Sequence, residues 1–149
     1  MKKILTLLSF LFFCLVACNN PGKQALKSEN DLDAVRNFIQ AALYGKYDEA
    51  RNYMLPDSIN EERMRLIERV KLSPDEKRGL ATASINIHNV NPVNDSTTIV
   101  IYSNSFKNDR DTLKVVRVKG QWLVDFNYLF EHDNDTLMKK PVNKTDSIK

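Results

Sequence analysis

The apolar periodicity of this chain changes once, near Gly79, and that change narrows the folds open to it. Between Leu32 and Val70 apolar residues recur every three or four positions, whereas from Ala83 to Phe126 they alternate or cluster in β-branched runs. The first spacing is that of a helix with one buried face, the second that of a half-buried strand. A helical half followed by a strand half, rather than an interleaving of the two, predicts an α+β domain: three N-terminal helices packed on one face of an antiparallel sheet of about four strands.

The elements can be placed from their ends. Leu32, Val35, Ile39, Ala42 and Leu43, with Phe38 alongside, mark a first helix; Ser28 and Asp31 fit a capping box ahead of it, and Gly45 offers a C-terminal stop. A second short helix is expected over residues 46–55, with Tyr47, Ala50, Tyr53 and Met54 on one side and Pro56 ending it. Ser58 and Glu61 repeat the capping pattern before Met64, Leu66, Ile67 and Val70, and Ser73-Pro74-Asp75-Glu76 supplies a cap for one extra turn. Strands are expected over 83–90, 97–106, 113–118 and 121–126, joined by "NPVND", "KNDRD" and Lys119-Gly120. Short turns between consecutive strands make an antiparallel meander.

Ahead of this domain the chain carries an address. Lys2 and Lys3 precede a 13-residue apolar run, Ile4 to Val16, and small Ala17 stands directly before Cys18. That is the layout of a secretory signal, and the run is too short for a bilayer-spanning helix, which needs about 20 apolar residues. Leu15-Val16-Ala17-Cys18 resembles the lipobox of bacterial lipoproteins. The resemblance implies cleavage between Ala17 and Cys18, a diacylglyceryl group on the Cys18 sulfur, and a lipid-anchored amino terminus in the cell envelope. Cys14 follows Phe13 and does not fit. Residues 1–17 are therefore read as signal peptide and 18–30 as a polar tether. Residues 31–130 are read as the domain and 131–149 as a disordered tail of mixed charge. Asn19 is not the Asp that holds some lipoproteins in the inner membrane, and no acidic run follows it, so the expected location is the outer membrane, facing the periplasm.

Two consequences follow for chemistry. With Cys14 removed and Cys18 lipidated, no thiol remains for a disulfide, a metal or a redox reaction, so stability has to come from an apolar core. The formal charge of +3 falls to +1 once Lys2 and Lys3 leave with the signal. Without a basic stripe, nucleic acid is excluded as a partner. No cofactor or metal is implied.

"AVRNFIQAALYGKYDEARNYM", followed by strands and "VVRVKGQWLVDF", is similar to the nuclear transport factor 2-like superfamily, in particular its secreted lipoproteins of the domain of unknown function 4878 type. Ala34, Phe38, Ala41, Gly45, Ala50 and the Lys119-Gly120-Gln121-Trp122 hairpin carry the likeness. It implies a sheet curved around the helices into a cone with a pocket. Enzymes of that superfamily place a carboxylate base with Tyr or His groups inside the pocket. Here the strand half offers His88, Tyr102, Arg117, Asp125 and Tyr128. Alternation sets His88 opposite Ile85 and Ile87 and turns Asp125 away from Val124 and Phe126, so no catalytic residue is carried over. Tyr102, His88 and Trp122 are the candidates for a pocket or partner face, while Tyr44, Tyr47 and Tyr53 are expected in the core.

"TIVIY" and "VVRV" put apolar side chains on both sheet faces, more than one helical layer covers, which points to a pocket or a partner surface such as a homodimer. A last pattern, Asp-Ser/Thr followed by an aliphatic residue or Thr, occurs five times, at Ser58, Ser96, Thr112, Thr136 and Ser147. It resembles an O-glycosylation signal of periplasmic proteins, with Thr136 and Ser147 in the tail the most accessible acceptors. Asp-Ser and Asp-Thr also start turns and helices, which would account for the first three. The reading overall is a lipid-anchored envelope module that binds a small ligand or an envelope protein. The alternative is a small-pocket isomerase, dehydratase or hydrolase-like enzyme.

Overall fold

The computed structural model describes residues 28–131; Cys14, Ala17, Cys18, Thr136 and Ser147 lie outside them. Among the described residues, four α-helices precede a four-stranded sheet, and a fifth follows it. They are α1 (Asp31–Leu43), α2 (Tyr47–Ala50) running on into a 3-10 turn (Arg51–Tyr53), α3 (Ser58–Glu68) and α4 (Pro74–Ala81). The strands are β1 (Ile85–Asn94), β2 (Thr97–Asn104), β3 (Arg110–Val118) and β4 (Gln121–Asp125), and α5 spans 127–131. The sheet is a meander in the order β1-β2-β3-β4, antiparallel throughout. The α+β class and the four antiparallel strands are as the periodicity predicts.

Several boundaries differ, each for a local reason. α1 is capped by Asn30, whose side chain accepts from the Asp33 N–H at 2.9 Å, and not by Ser28, which is buried. Asp57 rather than Ser58 caps α3 through the Asn60 N–H. In both places the better capping acceptor sits one or two residues from the expected one, and the helix starts after it. Ser73 and Glu76 do form a reciprocal capping box, and what was expected as one turn becomes a full helix that runs through Gly79. Gly45, at φ +69°, closes α1 with its own N–H on the Ala42 carbonyl and the Lys46 N–H on that of Ala41, a Schellman end.

β1 continues past Val90 to Asn94, so that Asp95-Ser96 alone makes the turn. It tolerates Pro92 because it is an edge strand, and it holds two bulges, with His88 and Val93 as the extra residues. The opposite edge is covered: Met54 bridges Val124, and the Leu55 N–H donates to the Val124 carbonyl. Lys119 and Gly120 both have positive φ, as the two-residue hairpin requires.

The core lies between α1 and the sheet. Ala34, Val35, Phe38, Ile39 and Ala41 meet Val100, Tyr102, Leu113, Val115 and Val124, with Met54, Met64 and Phe126 closing the side. Phe38 and Phe126 meet at 5.1 Å between ring centroids, and Phe126 meets Phe130 edge-on at 5.2 Å. Two buried polar side chains tie elements together. Thr98 donates to Asp31 at 2.6 Å and fixes the start of α1 on β2; Asn60 accepts from the Asn127 N–H at 2.8 Å and fixes α3 on α5.

Candidate functional site

A cleft of about 740 Å³ opens where α1 ends, between the sheet and α4. Its walls come from separate stretches of the chain: Leu43, Tyr44 and Tyr47 from the α1–α2 corner, Ile67, Val70 and Leu72 from the end of α3 and the link after it, and Leu80 and Ala81 from α4, with Tyr102 and Phe126 as the floor. A helix end, a link and a sheet that do not fit flush leave a space of the size small molecules occupy, commonly about 300–1,000 Å³. α4 forms the roof. None of its residues is fully buried, so it covers the space without filling it.

α4 packs against α1 and meets the β2–β3 turn in a close approach at Gly79. A Cβ on Gly79 would fall 2.1 Å from Cε2 of Phe106, so the Phe106 ring lies where a side chain would otherwise be. Phe106 is presented by the β2–β3 turn, and Asn104 builds that turn. Its buried side-chain oxygen accepts from the N–H groups of Phe106 at 3.2 Å and Lys107 at 2.9 Å, while the Asn104 carbonyl accepts from Asn108. The turn and α4 thereby bring Lys77, Arg78 and Lys107 to the cleft.

The carboxylates of the cleft are Glu68 and Asp111. Glu68 is neutralised from outside: the Arg51 guanidinium donates to it at 2.7 Å, and also to Glu61 and Asp48 at 3.1 Å each. That hydrogen bond, aided by the Arg51 charge, holds the Glu68 carboxyl below the usual carboxylate range and raises Arg51 further above its own. Asp111 is the register partner of Tyr102, so the two side chains stand next to each other on the sheet floor. Among the described residues no group of three His, Cys, Asp or Glu side chains is placed to hold a metal, and no helix is long and apolar enough to cross a membrane.

Of the five strand residues with chemical potential, Tyr102 alone lines the cleft. Alternation sends His88 to the other sheet face, where its Nε2 is 2.8 Å from the buried Ser103 Oγ. Asp125 is on that face too, paired with Lys114 at 2.6 Å, and Lys114 lies over the Tyr128 ring at 5.2 Å. Arg117 lies 5.9 Å over Trp122, six strand positions along β3 from Asp111 and at the far end of the sheet from the cleft. The candidate trio of Tyr102, His88 and Trp122 is therefore split across two faces and two ends. The tyrosines also separate: Tyr53 is core, Tyr47 is half-buried at the cleft, and Tyr44, expected in the core, is 52% exposed at the cleft rim.

The sheet face away from the helices carries Ile99, Ile101, Val116 and Leu123, as the two-sided apolar pattern anticipates. Of the modification candidates, Ser58 is exposed in the first turn of α3 and Ser96 is exposed in the β1–β2 turn, both at turns or helix starts. Thr112 is half-buried within β3, so the turn explanation does not hold for Asp111-Thr112.

Asn104, Lys77, Arg78, Lys107 and Asp111 were not identifiable as site residues in the sequence. They are adjacent only because Phe106 seats on Gly79, and a glycine inside a helix, facing an aromatic in a later turn, was the one available signal. Compared with models of known protein families, with curated proteins and with solved structures, the chain matches none.

Proposed function

We propose that this protein is a lipid-anchored binding module of the cell envelope, tethered through Cys18 to the outer membrane and facing the periplasm, with a nuclear transport factor 2-like domain that takes a small ligand in the cleft under α4. The observation that carries the binding reading is the cleft itself: a floor of Tyr102 and Phe126, walls of Leu43, Ile67, Leu72 and Leu80, and a roof helix with no buried residue. Apolar walls with a few polar groups at the mouth are the usual make-up of a ligand site. The Leu15-Val16-Ala17-Cys18 stretch supports the anchor. Each buried methylene contributes about 0.8 kcal/mol, so two or three acyl chains hold where one would hold only reversibly.

The enzyme alternative needs a carboxylate in the cleft whose acidity is tuned toward a base. Glu68 is shifted the other way, its charged form held by Arg51. Catalysis would have to reside in the pair Tyr102 and Asp111, the one place where two such groups meet in the cleft.

The test of the anchor is fractionation and labelled-palmitate incorporation in a Gram-negative host, where Cys18→Ala should leave the protein unlabelled and release it from membranes. The test of the cleft is the neutral dye N-phenyl-1-naphthylamine with the full chain: Ala81→Trp, which fills the space under α4, should abolish the bound-dye emission. Equal emission from parent and Ala81→Trp would remove the cleft from the reading.

A further inference from the structure

We infer that the ligand of this cleft is an amphiphilic anion: an apolar chain or ring body ending in one carboxylate or phosphate. The inference rests on the reading of the cleft as a binding site and goes on to its ligand class.

The charges around the space are unequally compensated. Three cations line it, Lys77 and Arg78 from α4 and Lys107 from the β2–β3 turn. Arg78 is paired with Asp75 on its own helix. The Ser73 N–H, at 2.8 Å, holds the Glu76 carboxylate in its charged form, and nearby Lys107 adds to that. Lys77 makes no ion pair among the described residues. On the acidic side, Glu68 is held by Arg51, which leaves Asp111 as the carboxylate of the floor. The charge left uncompensated at the mouth is that of Lys77, and the Asp111 carboxylate lies deeper, on the floor.

The separation is also ordered by depth. Tyr102, Asn104 and Phe126 are buried, Asp111, Ile67, Leu72, Leu80 and Ala81 are half-buried, and Lys77, Arg78 and Lys107 are exposed. An occupant therefore meets apolar walls inside and cations at the rim. Lysine stems lie along apolar surface and keep their ammonium groups in water, where they can meet a head group without desolvating it fully. A neutral ligand would gain nothing from these cations, and a cationic one would be repelled.

The experiment uses the full chain in neutral phosphatidylcholine nanodiscs and three diazirine probes of equal chain length: an alkyl carboxylate, an alkyl phosphate and an alkyl alcohol. Crosslinks are mapped by mass spectrometry. Both anions should label the cleft stretches around Tyr44–Tyr47, Leu72 and Leu80–Ala81 several-fold more than the alcohol. The preference should shrink at high salt. The charge reversal Lys77→Glu with Lys107→Glu should cut the ratio of anion to alcohol labelling roughly tenfold. Stronger labelling by the phosphate than by the carboxylate assigns a phospholipid-type head, and the reverse assigns a free fatty acid. Equal labelling by alcohol and anions overturns the anionic class but leaves the cleft a binding site. Absence of any crosslink in the cleft overturns both.

Discussion

Replacing Asn60 by Ala tests how the end of the sheet is locked to the helices. Asn60 is 1% exposed, and its side chain has two partners: Nδ2 donates to the Asp57 carboxylate at 2.7 Å, and Oδ1 accepts from the Asn127 N–H at 2.8 Å. Asn127 opens α5, and its own side chain accepts from Arg63 Nε at 3.0 Å and donates to Glu131 at 2.7 Å. Removing the Asn60 side chain leaves the Asn127 N–H without its acceptor, and an unsatisfied buried donor costs about 1–3 kcal/mol. The bond to Asp57 is charge-assisted and stronger in itself, but Asp57 is exposed and water recovers most of it. The net loss should be about 2–4 kcal/mol, a large part of the roughly 5–15 kcal/mol a domain of this size holds. At about 4–8 °C per kcal/mol for a domain near 100 residues, the melting temperature should fall by about 8–32 °C. Urea unfolding followed by Trp122 fluorescence measures it, with the midpoint moving and the slope unchanged. A loss below about 1 kcal/mol would refute the reasoning and mean that α5 docks through Phe130 against Phe126 and Arg63 alone.

Three further outcomes are expected. Because the hydrogen bond from Arg51 lowers the Glu68 pKa, that pair stabilises the fold fully above the ordinary Glu value and loses its contribution as pH falls through the lowered one. Arg51→Met should therefore flatten the acid limb of the stability profile below about pH 4.5, and a profile parallel to the parent's would count against the pairing. Gly79→Ala gains about 0.5–1 kcal/mol of helix propensity but evicts the Phe106 ring, which is 44% exposed and can swing outward. Its melting point should stay near the parent's while the Phe106 ring resonances lose their ring-to-helix contacts in NMR; an unchanged ring environment contradicts the close approach. Lys119→Asn relieves a non-glycine residue at φ +52° and should add several tenths of a kcal/mol to about 1 kcal/mol in thermal unfolding, whereas a loss of stability would speak against the turn type.

Local signals account for most of the element assignments. Gly45 ends α1, Ser73-Pro74-Asp75-Glu76 starts α4, and Lys119-Gly120 turns β3 into β4, because each acts on backbone groups within four residues of itself. The errors are of the same range: Asn30 outcompetes Ser28 as a cap, and Asp57 outcompetes Ser58. β1 runs to Asn94 because the pairing partner for Asn91 to Asn94 is supplied by β2, which no window on β1 alone contains.

By itself the sequence determined the α+β class, the meander, the apolar face of α1 and the two-sided apolar character of the sheet, since periodicity records which side of an element is dry. Only the tertiary structure decided where the cleft lies and what lines it. Lys77 and Lys107 are 30 residues apart, and Tyr44 and Phe126 more than 80; nothing in their neighbours distinguishes them from other surface lysines or core aromatics. They share a site because Phe106 seats on Gly79 and an unburied helix is left standing over the sheet floor. That is a contact between distant segments, and a pattern along the chain carries no term for it.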